Sequence, residues 1–209
     1  MFKWFSKISD GKKALFLILI ILIADQTLKI WIKCHLSLGQ ELKMFGNWGL
    51  IHFTENNGMA FGMELGGEIG KLILSVFRIV AIGIIGYYLV KLIKTNAPTG
   101  LILCIALVLA GAIGNILDSA FYGMLFSESK YYQVAEFLPH SGGYAGFLHG
   151  KVVDMFYFPI LNSRYPSWIP FKGGQPLVFF RPVFNIADSS ITIGVILLIL
   201  FQRKYFKNL

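Results

Sequence analysis

Three aspartates in this chain follow closely on residues suited to holding them in place: Asp118 three residues after Asn115, Asp154 four after Gly150, and Asp188 three after Asn185. Two carboxylates held together at low dielectric cannot both ionise easily, so they share a proton and titrate as a coupled pair. That arrangement suits aspartyl hydrolysis. The ionised partner takes a proton from water as the water attacks an amide carbonyl, and the protonated partner hydrogen-bonds the developing oxyanion and the leaving group. Asn56, Asn115 and Asn185 are suited to orienting carboxylates or substrate through their amides. Spacing alone does not choose between Asp154 with Asp188 and Asp118 with Asp188. The plainer readings stand beside this one: a single polar residue near a helix end is most often an anchor or cap, and Asp25 with Lys29 at i,i+4 reads equally well as a neutralising pair. Arg78 is expected to pack inward or to pair.

Other chemistries find less to work with. His52, His140 and His149 are scattered with no HxxxH or HExxH, so no metal and no cofactor are expected. Ser119, Ser189 and Ser190 lie in no GxSxG context. The stretch 111-GAIGN-115 follows an apolar run rather than a strand, so it is no phosphate loop; Gly111, Ala112 and Gly114 instead permit close helix packing.

The elements that must position these groups are set by the solvent. The chain has 209 residues, of which 56% are hydrophobic and 14% charged, with a mean hydropathy of +0.65. A soluble domain carries roughly 25% charged residues, so this is the composition of a membrane protein. Runs of about 20 apolar residues cross a bilayer, and 14–32, 72–90, 99–117 and 183–201 qualify. The expected fold is an all-α membrane protein, a single domain of four transmembrane helices with an extracytoplasmic β-like or looped platform. Lys3, Lys7, Lys12 and Lys13 at the start, Lys91 and Lys94 in a short turn, and Arg203, Lys204 and Lys207 in the tail place these three stretches in the cytoplasm, termini included. Segments 33–71 and 119–182 then lie on the outer face. The net charge of +8 follows from that topology and from anionic lipid, not from nucleic acid.

In this arrangement Asp25 and Lys29 lie in the outer half of span one, Asn115 and Asp118 end span three, and Asn185 and Asp188 begin span four. Asp154 comes from the outer segment. Four of the five aspartates therefore meet near the outer leaflet boundary. The apolar N-terminal run lacks small residues before a cleavage site and is expected to be a retained helix. Cys34 and Cys104 fall near opposite membrane faces, so no disulfide is expected between them.

Five motifs carry a resemblance: 25-DQTLK-29, 55-ENNGMAFG-62, 111-GAIGNILD-118, 151-KVVDMF-156 and 184-FNIADSSITIG-194. In this order they resemble the lipoprotein signal peptidase family, signal peptidase II. The resemblance implies an aspartyl endopeptidase of the bacterial cytoplasmic (inner) membrane that removes signal peptides from diacylglyceryl-modified prolipoproteins, with globomycin as an inhibitor. It implies that Asp154 and Asp188 are the catalytic pair. Asp25, Lys29, Asn56, Gly58, Ala60, Phe61, Asn115, Asp118, Asn185 and Ala187 are then expected to bind substrate or support the site.

The chain departs from the family pattern in places. Ser119 stands where relatives usually have an arginine, whose work then falls to another group such as Arg181 or Lys151, and Met59 replaces the commoner alanine. The stretches before and after Asp154 are both longer than in most relatives, and their aromatic and glycine content suggests an enlarged lid or platform. The alternative from another class is a small ion- or proton-coupled membrane transporter subunit, which requires polar groups continuing towards the cytoplasm.

Overall fold

The computed structural model describes residues 8–57, 67–159, 161–164, 166–168, 170, 173–179 and 182–206. Helix α1 spans Asp10–His35, α2 spans Gly67–Lys94 and α3 spans Thr99–Leu117, which continues through a π-helical turn, Asp118–Tyr122, and a last turn, Gly123–Leu125. Helix α4 spans Ile186–Phe206. Three helical stretches, Asp10–His35, Ile69–Lys94 and Thr99–Leu125, are long and apolar enough to cross a bilayer; Ile186–Phe201 is a shorter apolar stretch. The α-helical part of the third stretch ends at Leu117, as expected, and further helical turns carry it on to Leu125. Asp118 interrupts the apolar run, but ion pairing inside the protein lets the helix pass through it and on to Ala120, Phe121 and Tyr122.

Burial is arranged as lipid solvent dictates. α1 and α2 expose large apolar side chains, including Ile23, Ile73, Phe77 and Ile84, whereas α3 packs against α1, α2 and α4 and is the central helix. Leu101, Ile102, Ala106 and Leu109 of α3 join Ala14, Leu89 and Leu92 in one core cluster. Small residues bring α3 and α4 together: a Cβ on Gly111 would lie 2.2 Å from the Ala187 carbonyl oxygen. This bears out the close-packing reading of that run. At the other end of α3, Asp10 accepts from Thr99 at 2.9 Å and pairs with Lys13 at 2.8 Å, tying the starts of α1 and α3.

The expected β-like platform is an antiparallel sheet in the order β1-β2-β3-β6, with β1 at Glu41–Phe45, β2 at Gly49–Asn56, β3 at Val152–Tyr157 and β6 at Val183–Phe184. A separate hairpin pairs β4, Leu161–Arg164, with β5, Pro176–Phe179. Thr54 lies opposite Asp154, and the β2–β3 register shifts by a bulge between Ile51 and Thr54. Alternation gives the sheet two faces. Phe53, Val153 and Met155 point into a second core cluster with Ile32, Tyr122 and Phe126, so Asp154 and Asn56 point the other way.

Candidate active site

The first turn of α4 explains why Asp188 stands at the head of an apolar run. Asn185 precedes the helix, and its Oδ1 accepts from the Asp188 backbone N–H at 2.8 Å while Asp188 Oδ2 accepts from the Asn185 N–H at 3.3 Å. This reciprocal capping box satisfies backbone donors that a helix start leaves unpaired, and it fixes the Asp188 carboxylate in orientation. Asp25 supplies a further acceptor from α1: its Oδ1 takes the Ala187 N–H at 2.9 Å. Gly114 lets this happen, since a Cβ there would meet Asp25 Oδ2 at 2.9 Å and the Ala187 Cβ at 3.0 Å.

Asn115 and Asn185 then join the carboxylates into one network. Asn115 Nδ2 donates to Asp188 Oδ1 at 2.7 Å, and its Oδ1 accepts from Lys29 at 3.0 Å and from Asn185 Nδ2 at 3.1 Å. Asn185 Nδ2 also donates to Asp154 Oδ1 at 2.7 Å, and Asn56 Nδ2 donates to Asp154 Oδ2. Asp154 and Asp188 are therefore held from opposite sides of a single residue, Asn185. Asp154 is buried and Asp188 half-buried. Burial, with the negative charge of Asp188 second, pushes the Asp154 carboxyl up to about 8; the Lys29 ammonium and the Asn185 amide only partly offset them.

Asp118 is placed differently. It is fully buried and pairs with Lys29 at 2.8 Å, and Lys29 pairs with Asp25 at 2.9 Å. Asp118 also accepts from Gln26 at 2.9 Å and from the Val153 N–H at 3.2 Å, anchoring β3 beside α1 and α3. Its lone pairs are occupied by structure. The neutralising-pair reading of Asp25 and Lys29 is borne out, with Asp118 added as the second anion. Gly58, Ala60 and Phe61 lie outside the described residues, as does Arg181.

Lys151 Nζ lies 4.0 Å from Glu55 and over the Tyr144 ring. Arg78, half-buried on α2, adds a positive charge that acts on Asp188, Asp118 and Asp154. Sequence reasoning also passed over Gln26, which besides Asp118 reaches Asp25 and the Gly114 carbonyl at 3.1 Å and accepts from the Tyr122 hydroxyl. The signal was its place between Asp25 and Lys29. Among the described residues, His, Cys, Asp and Glu form no group suited to holding a metal ion.

The family model described as signal peptidase (SPase) II matches residues 17–203. A lipoprotein signal peptidase of Porphyromonas gingivalis is 50% identical over 95% of this chain and 86% of its own length. One of Amoebophilus asiaticus is 36% identical over 88% of this chain and 75% of its own. A solved bacterial membrane enzyme superposes with a TM-score of 0.60 at 24% identity, covering 94% of this chain and 91% of that one. With that fold and a sequence match running from the first helix through the last, the chain belongs to the signal peptidase II family.

Proposed function

We propose that Asp154 and Asp188 are the catalytic dyad of an aspartic endopeptidase that cleaves the signal peptide from diacylglyceryl-modified prolipoproteins. The observation that carries this reading is the shared anchor: Asn185 donates to Asp154 and exchanges hydrogen bonds with Asp188. The pair holds one proton near neutral pH, on Asp154, where burial and the neighbouring charge favour it. Asp188 removes a proton from water as the water oxygen attacks the scissile carbonyl carbon. Asp154 hydrogen-bonds the carbonyl oxygen as negative charge grows there. Collapse of the tetrahedral intermediate breaks the C–N bond, the nitrogen takes a proton, and a carboxylic acid and a free amine leave.

The membrane reading completes the proposal. α4 serves as the fourth span, both termini face the cytoplasm and the dyad opens towards the outer face, as the lysine-rich start and tail favour. A diacylglyceryl cysteine keeps its acyl chains in the outer leaflet and brings the bond to be cut to the headgroup boundary. Lipid burial supplies positioning energy remote from the reacting bond, about 0.8 kcal/mol per methylene. Globomycin is expected to occupy the same site. The family match sets the transporter alternative aside.

The test is cleavage of a diacylglyceryl-modified prolipoprotein by purified wild type, Asp154→Asn and Asp188→Asn, each checked for folding in detergent. Folded variants that lose cleavage establish the dyad; variants that cleave normally overturn it.

A further inference from the structure

A second buried ionic cluster lies on the opposite face of β2 from the dyad, and the chemistry above does not use it. Lys33 of α1, with no exposed side-chain surface, pairs with Glu55 of β2, whose side chain is 3% exposed. Ser129, from the long stretch between α3 and β3, accepts from Lys33 at 2.7 Å and donates to Glu55 at 2.8 Å. The Lys33 ammonium lies 5.3 Å from the Phe126 ring centre and 5.1 Å from that of Tyr144. The same stretch is fastened further by the Leu38 N–H to the Lys130 carbonyl at 3.0 Å and the Tyr144 N–H to the Phe126 carbonyl at 3.1 Å.

A buried ion pair is a poor source of net stability, because apolar residues of similar volume usually serve as well; its better-attested use is to fix a register. Here a register needs fixing. The bulge between Ile51 and Thr54 shifts β2 against β3 just before Glu55 and Asn56. A strand that slips by one residue turns every side chain to the other face. In the observed register Glu55 meets Lys33 and Ser129 in the core, and Asn56 donates to Asp154. In the slipped one, the Lys33 charge is left buried without Glu55, and Asn56 leaves the dyad.

We infer that the Lys33–Glu55–Ser129 cluster is a register lock through which the long outer stretch holds Asn56 on Asp154. This makes Lys33, Glu55 and Ser129 positioning residues for the reaction, and makes that stretch a fixed brace beneath the dyad rather than a closing lid. The inference rests on the proposed dyad for its effect on cleavage, but the register itself is measurable without catalysis.

The experiment replaces the pair by apolar residues, Lys33→Met with Glu55→Leu, so that no buried charge is orphaned. Strand register is read by oxidative cross-linking of Asn56→Cys with Val152→Cys, partners across β2 and β3, in a background with Cys34→Ala and Cys104→Ala. Cleavage is read separately, with the native Asn56. The lock predicts weakened cross-linking, and in the Asn56 background a kcat lower by about a hundredfold, the scale on which a small misplacement acts, with KM within about twofold.

A pH profile separates positioning from general loosening. Donation from Asn56 favours the ionised form of Asp154, so its loss moves the alkaline limb of kcat to higher pH. The other groups that act on Asp154 are unaltered: Asp188 and Asn185 of α4, Lys29 of α1, Asp118 after α3 and Arg78 of α2. Ser129→Ala, which removes only a hydroxyl, decides the matter if the double variant does not fold: a lower kcat with a shifted limb supports the lock, and a wild-type kcat and profile overturn it. Undiminished cross-linking in the folded double variant overturns it as well. If instead Asp154→Asn still cleaves, the dyad fails while cross-linking continues to report the register.

Discussion

Two pairs of aspartates lie within one hydrogen-bond network and are treated in opposite ways. Asp25 and Asp118 share the ammonium of Lys29, at 2.9 and 2.8 Å, and their remaining oxygen valences go to Gln26 and to the backbone of Ala187 and Val153. Asp154 and Asp188 receive amides from Asn56, Asn115 and Asn185. A lysine at contact distance fixes a carboxylate as an anion; amide donors orient it and leave its proton exchangeable. The first pair is tied into the structure, and the second is the proposed dyad. The difference teaches that one ammonium at contact distance marks the structural pair, and side-chain amides mark the pair proposed to react.

The sharpest way to break this comparison is at the reacting pair. Asp154→Asn and Asp188→Asn should each lower kcat by at least about 10³-fold, within the range of general acid and base effects, with no loss of thermal stability in detergent near neutral pH. Equal losses of activity and stability would instead put these residues with the structural pair. At that structural pair the order reverses. Lys29→Met leaves two buried carboxylates without their cation and should cost about 3–5 kcal/mol in stability. Adding Asp25→Asn and Asp118→Asn should recover much of that, as measured by denaturation in detergent.

Gly111→Ala acts on the joint between the two pairs. Its methyl would press on the Ala187 carbonyl and Ile191, moving the start of α4 at a cost of about 1–3 kcal/mol; cleavage should fall as well, because Asp188 moves with that turn.

A smaller effect tests the proton. With the Asp154 carboxyl raised to about 8 by burial and then by the Asp188 charge, cleavage should decline as pH rises through about 8, where the dyad loses its shared proton. The unfolded carboxyl titrates near about 3.9. Between these two values the folded state holds the extra proton, so the contribution of Asp154 to stability falls as pH rises. Asp154→Asn should therefore raise the unfolding temperature over wild type more at pH 9 than at pH 5. Smallest of all, Tyr122→Phe removes one hydroxyl bond to Gln26 and should cost about 1 kcal/mol with cleavage retained.

Much of this was legible from local pattern. Hydropathy located all four helices, because an apolar face towards lipid needs no partner to be recognised, but it began the fourth at 183, inside β6, where α4 starts at Ile186. The roles of Asp118 and Asp154 were not separable from the residues alone. What distinguishes them is the approach of Lys29 to Asp118 and the register that sets Asp154 opposite Thr54, and both arise only when distant segments pack. The same holds for Lys33 and Glu55, which are 22 residues apart and meet through β2. The extension of α3 to Leu125 escaped notice because a buried carboxylate reads as a boundary until its ammonium is known.

The capping box at Asn185 and Asp188 has a further consequence. The bonds that cap α4 are those that orient Asp188, so on the proposed dyad this helix cannot fray at its start without disturbing a catalytic carboxylate. With Asp188 in the proposed dyad, assembly of the last helix and maturation of the protease become one event, and a newly inserted chain is expected to stay inactive until that turn has closed. The Asp188 amide, bound to the Asn185 side chain, is the backbone position where hydrogen exchange would report that moment.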